Sequence, residues 1–286
     1  MLENLFRQKI TYHVGALPAE DAQFQKFNTS PFVLLIHAMQ RGYSQITQIE
    51  KDILPAKQFS SMETSAGRMV EAVALPAYGW TNVMSEMHTP NSALDGKKLE
   101  GDTLKLATLK SGPRCLNDEM SENFADAIIN HSAAWAAEAR VKKLDFTYGV
   151  LYGTEKVSNK KDWHILRNIK EKLPRSAMSI MPDGRWDCQF KRNGLQVHVT
   201  VRIGKAWWDY LGGATCFVEL CAALIRACVK PGECDPEDHE HLISDLGQIV
   251  SLTCVPADFN VSILQRGQLQ WLFFIARHFC DSISDA

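Results

Sequence analysis

Asp95 and Lys110 stand fifteen residues apart in the stretch DGKKLEGDTLKLATLKSGPR, residues 95–114. The aspartate sits at the mouth of a short apolar run. The lysine closes a strand-like segment and is followed by Ser111, Gly112 and Pro113. One carboxylate and one ammonium held on neighbouring strands suit the hydrolysis of a phosphodiester. The carboxylate would hold a divalent ion, and the lysine would orient or help deprotonate water beside a phosphate. Alone this spacing is common in soluble proteins, so the flanking segments decide its meaning.

The elements that must position these groups are readable to different degrees. Thr103 to Leu109 places Leu104, Leu106 and Leu109 against Lys105 and Thr108, which predicts a central strand. Asn117 to Arg140 predicts a long amphipathic helix rich in Ala, and Asp145 to Tyr152 a second apolar strand. Asp183-Gly184 and Asn193-Gly194 predict hairpin turns between runs at 178–181, 185–190 and 195–203. Upstream, helical stripes are expected at 21–27, 32–40 and 45–54, the last stopped by Pro55. A further helix capped by Thr64 or Ser65 would carry Glu71 and end at Leu75-Pro76. Residues 77–102 read as irregular. Helices are expected again at 206–211, 215–229, 239–252 and 268–279, and Trp207 and Trp208 read as core. The order predicts an α/β fold, with a mixed sheet in the middle and helices before and after it.

Composition sets the frame. The chain has 286 residues, 45% hydrophobic and 22% charged, enough for a sizeable core. No apolar run approaches the roughly 18–20 residues of a membrane helix. The N-terminal MLENLFRQKITYH is broken by charge and lacks a small-residue cleavage site, so no membrane partner and a cytoplasmic location are expected. Eight cysteines without a CxxC pair read as reduced, mostly buried thiols. Cys228, Cys234, His239 and His241 match no familiar zinc spacing. Net charge is −2, yet residues 140–205 hold 15 Lys and Arg against 6 Asp and Glu, while 206–286 hold 4 against 11. Such segregation either steers a polyanion to one face or marks a solvated surface beside an acidic tail.

Taken in order, SAGRMVEAVALP, Asp95, LATLKSGPRCLN, FTYGVLYG and VRIGKAWWDYL make the chain resemble type II restriction endonucleases of the PD-(D/E)XK superfamily. The group in question cuts palindromes built from GG and CC steps around a central base. The likeness covers about residues 60–211. It implies a restriction-endonuclease-like core there, within one nuclease domain over 1–286, with mainly helical additions at 1–59 and 212–286. By resemblance Asp95 is the metal-bridging aspartate and Lys110 the active-site lysine. The superfamily usually carries an acid two residues before that lysine, where this chain has Thr108. The missing carboxylate would come from Glu71, or from Glu119 or Glu122, with the Thr108 or Leu109 carbonyl as a further oxygen ligand to Mg²⁺.

The resemblance also implies readers of DNA. Arg114 would fork onto guanine O6 and N7, and Asp118 or Glu119 would accept from cytosine N4. Arg114 instead binds a phosphate, or pairs with Asp118, in the plainer reading. Asn117 would cap its helix or touch DNA, and Lys205 and other basic residues would grip the backbone. Double-stranded DNA, a homodimer matched to the palindrome, and a cognate DNA methyltransferase protecting the host are the implied partners. Two alternatives stay open. One is a repair or structure-selective nuclease of the same superfamily; the other is a non-cleaving DNA-binding regulator with a degenerate nuclease fold.

Overall fold

The strand that ends in Lys110 lies third in a seven-stranded sheet of order β1-β2-β3-β4-β7-β6-β5. It was located in a computed structural model that describes residues 1–16, 31–84, 90–179 and 186–228, with Gln268, Trp271, Leu272 and Ile275 besides. In chain order the elements are α1 (Leu2–Ala16), α2 (Pro31–Arg41), α3 (Ile46–Ala77), β1 (Thr81–Asn82), β2 (Gly96–Glu100) and β3 (Thr103–Lys110). There follow α4 (Asp118–Ala139), β4 (Lys143–Val150), α5 (Lys161–Lys172), β5 (Met178–Ser179), β6 (Asp187–Arg192), β7 (Leu195–Ile203), α6 (Lys205–Gly212) and α7 (Cys216–Cys228). The fold is α/β with a mixed sheet, as the sequence predicts.

Three parallel strands, β3, β4 and β7, form the middle, and antiparallel strands extend the sheet on both sides. Side-chain alternation along β3 splits the interior in two. Leu104 and Leu106 face α4 and α5, joined by Phe146, Tyr148, Ile165 and Ile169. Ala107 and Leu109 face the opposite layer, where Val73 and Leu75 of α3 meet Trp207 and Trp208 of α6 and Phe217 of α7. The two tryptophans are 0% and 2% exposed, so both are core. Asn193 and Gly194, both at positive φ, close the β6–β7 hairpin as the Asn-Gly pair predicts. Asn117 caps α4 by accepting from the Met120 N–H at 2.7 Å, and Arg140 closes that helix in the left-handed region.

Several expectations need correction. The helix expected to stop at Pro55 continues without interruption to Ala77, with both Pro55 and Pro76 inside it. A proline removes one N–H and crowds the preceding turn, but a long helix anchored at its C-terminal half tolerates that locally. Its start is fixed at Gln45, where Gln48 Oε1 accepts from the Ser44 and Gln45 N–H groups. Residues 77–102 are not irregular, since they contain β1 and β2. Helices α1 and α5 and the early start of β4 at Lys143 were also unforeseen. The helices expected at 21–27 and 239–252 and the turn at 183–184 lie outside the described residues, as does most of 268–279. Among the described residues no single helix is long and apolar enough to cross a membrane, and no disulfide joins Cys115, Cys188, Cys216, Cys221 or Cys228.

Candidate active site at the end of strand β3

Pairing between β2 and β3 sets the position of Asp95. Gly96 lies opposite Ala107, which leaves Asp95 as the residue just ahead of the ladder. Its N–H donates to the Ala107 carbonyl at 2.8 Å, and its Oδ2 accepts from the Leu109 N–H at 2.6 Å. The carboxylate thus takes the place of a strand carbonyl where β2 has run out. Meanwhile the Asp95 carbonyl accepts from the Val83 N–H at 2.9 Å. Within a strand, the N–H and C=O of one residue leave by the same edge, so the Leu109 carbonyl is on the Asp95 side as well.

Glu71 arrives from α3. Gly67, one turn earlier, lies so close to the end of β3 that a Cβ there would stand 3.2 Å from Ser111 Cβ. This glycine lets the helix cross the strand end where a larger residue would hold it off. Half-buried, the Glu71 carboxyl is pushed up from 4.5 to about 7, first by burial and then by the negative charge of Asp95. Lys110 and Arg68 pull it the other way. Glu71, Asp95 and Lys110 therefore share one electrostatic environment. The Lys110 ammonium lies 5.7 Å from the centre of the Phe124 ring on α4, and that ring stands edge-on to Tyr148 of β4. Phe124 is a contact that sequence reasoning did not supply.

Thr108 is not free to bind a ligand. It is 2% exposed and its hydroxyl donates to the Ala93 carbonyl, tethering the turn that leads into Asp95. Of the other acids proposed for the second carboxylate, Glu122 is drawn away by Lys172 at 3.0 Å. Glu119 is exposed in the first turn of α4. Of these three acids, Glu71 is the one that feels the charge of Asp95. Among the described residues there is no group of three or more His, Cys, Asp and Glu that could hold a metal. The donor set is two carboxylates and a backbone carbonyl. All are hard oxygens, and two partly buried, mutually repelling carboxyl groups leave a deficit that a divalent cation would relieve, so the residues fit Mg²⁺.

The loop after Lys110 carries the expected DNA-reading residues. Arg114 is exposed and donates through Nε to the Val157 carbonyl at 3.1 Å. It does not pair with Asp118. That carboxylate instead accepts from Lys161 Nζ at 2.6 and 2.8 Å and meets His164 Nδ1 at 3.1 Å. Lys161 holds its pKa below the usual range, so Asp118 joins α4 to α5 and is spoken for. Asn117 acts as a cap through its Oδ1, the first of its two expected roles. Lys205 is tied within its own helix to Asp209 at 2.5 Å. No family model matches the chain, and no curated protein matches it.

Proposed function

We propose that the chain is a Mg²⁺-dependent endonuclease that hydrolyses double-stranded DNA at a palindrome with GG/CC steps, leaving 5′-phosphate ends. The observation that carries this is the convergence of Glu71, Asp95 and Lys110 at the carboxyl end of β3, a part of α/β sheets where ligands commonly bind. Asp95, Glu71 and the Leu109 carbonyl would hold the ion. When bound, it supplies positive charge for the phosphate and lowers the pKa of a bound water.

The remaining work falls to the chain. Lys110, whose charge is felt by Glu71, would contact the attacking water and the phosphate, and its ammonium lies 5.7 Å from the centre of the Phe124 ring. The core formed by Leu109, Trp207 and Trp208 keeps the strand end rigid. Arg114 is exposed with its Nε taken by Val157, so its two terminal nitrogens would meet a base edge, and Glu119 is the acid left to accept from a base.

Self-association completes the proposal, because a palindrome is cut by a twofold assembly. Helix α2 carries Phe32, Leu35, Ile36 and Met39 at helical spacing with 67–88% exposure, an apolar stripe of the kind that packs on a partner. Digestion of plasmid DNA tests the whole reading. Discrete Mg²⁺-dependent fragments are expected. A smear, or cutting only at damaged sites, favours the structure-selective nuclease, and sequence-specific binding without cleavage favours the regulator.

A further inference from the structure

Two loops leave the carboxyl ends of neighbouring parallel strands. One runs from Ser111 to Asn117 after β3, the other from Leu151 to Lys160 after β4. They are laced together. Asn159 donates through its N–H to the Pro113 carbonyl at 3.4 Å and through Nδ2 to the Leu116 carbonyl at 3.0 Å. Gly153 packs so tightly under Pro113 that an added Cβ would stand 2.7 Å from its ring. The Val157 carbonyl accepts from Arg114 Nε.

What holds the second loop in place is a carboxylate that has no business with solvent. Asp162, in the first turn of α5, is 0% exposed. Its Oδ2 accepts from Ser158 Oγ at 2.6 Å, and Ser158 Oγ in turn accepts from the Lys160 N–H at 3.0 Å. Its other oxygen, Oδ1, is buried with no hydrogen-bond partner. A buried carboxyl with half its capacity unused is an expensive way to stabilise a loop, since a neutral side chain would do so at less cost. The chain therefore keeps a group whose benefit lies in where it fixes Ser158, and Ser158 follows Val157 directly.

Resting on the nuclease reading, we propose that Ser158 and Asp162 are positioning residues for sequence discrimination: they fix the Val157 carbonyl, which orients the Arg114 guanidinium for bidentate contact with a base. A guanidinium held by Nε swings about one axis only, so its two remaining nitrogens meet a base edge as a preformed fork. Neither Ser158 nor Asp162 touches the three groups at the end of β3, so the hydrolytic step does not depend on them.

Full-length Ser158→Ala and Asp162→Asn variants test this with two readouts. The first needs no DNA: hydrogen exchange at Arg114 Nε–H, followed by nitrogen-15 NMR and assigned with Arg114→Lys. Protection is expected in the unaltered protein and loss of it in Ser158→Ala. The second is binding and cleavage of duplexes differing at single G·C positions. Both variants are expected to lose about tenfold in discrimination at the position that Arg114→Ala also relaxes, with cleavage of the preferred duplex at saturation unchanged. Should one variant fail to fold, the other carries both measurements. Sequence-specific cleavage with an unprotected Nε–H, or variants that lose affinity equally on all duplexes, would overturn the positioning role alone. A protected Nε–H in a protein that neither binds nor cuts duplex DNA would refute the nuclease reading, and with it any role for this contact in discrimination.

Discussion

Replacing Glu71 with Gln should stabilise the metal-free protein while ending its activity. Burial and Asp95 raise the Glu71 carboxyl from 4.5 to about 7. Above pH 7 the folded state must therefore carry a charge it would rather neutralise, at a cost of at most about 3 kcal/mol. The side chain keeps some contact with water and glutamine must still satisfy its amide, so a gain of about 1–2 kcal/mol is the expectation. The sign follows from linkage. Between pH 4.5 and 7 the folded state binds more protons than the unfolded one, so the unaltered protein loses stability as pH rises through that window and levels off above it. Glutamine does not titrate, and its advantage at pH 5 should be about a quarter of that at pH 8. Urea unfolding in EDTA at the two pH values measures this. Mg²⁺ should then reverse the order, stabilising the unaltered protein by about 2.7 kcal/mol at a hundredfold excess over Kd and the variant by much less. A Glu71→Gln protein that is less stable at pH 8, or equally advantaged at both pH values, would refute the reasoning.

Three further outcomes are expected. Asp95→Asn keeps an oxygen for the Leu109 N–H and should fold normally yet not cleave, whereas Asp95→Ala also orphans that N–H and should lose about 1–3 kcal/mol of stability; thermal unfolding beside a nicking assay separates the two. Thr108→Val leaves the Ala93 carbonyl without its donor and should cost about 1–2 kcal/mol by urea titration, with slower cleavage because the turn into Asp95 loosens. His198 stands 3.2 Å from Asp145, whose carboxylate is the main cause raising the imidazole above its ordinary 6.5. That contribution is complete below pH 6.5 and fades as pH rises through the folded value, so His198→Ala should cost more stability at pH 6 than at pH 9.

Much of this arrangement was readable because local pattern and tertiary role agree. β3 and β7 alternate buried and part-buried positions over their first halves, α4 begins at an Asn cap, and Asn193-Gly194 can hardly be anything but a tight turn. β2 escaped notice because GKKLE has a single buried position, Gly96, and no apolar alternation. α5 was hidden by its charges, since only Ile165, Leu166 and Ile169 mark its inner face. Asp95 and Lys110 stood out by type, but the use of Asp95 as a substitute strand carbonyl depends on register, which no local pattern encodes. Glu71 is legible as a helix residue, but its role as the second carboxylate comes only through resemblance, because a glutamate on a helix looks the same whether it faces solvent or a strand end. Asp118 was read as a base contact because Lys161 and His164, its partners, lie more than forty residues away.

Mapping of cut ends tests the central claim most directly. A plasmid of known sequence is incubated with the protein and Mg²⁺, and the product ends are sequenced, alongside Asp95→Asn and Lys110→Ala. Ends at one recurring G·C-containing palindrome from the unaltered protein, and none from either variant, are predicted. Random ends, no ends, or the same ends from the variants would contradict it.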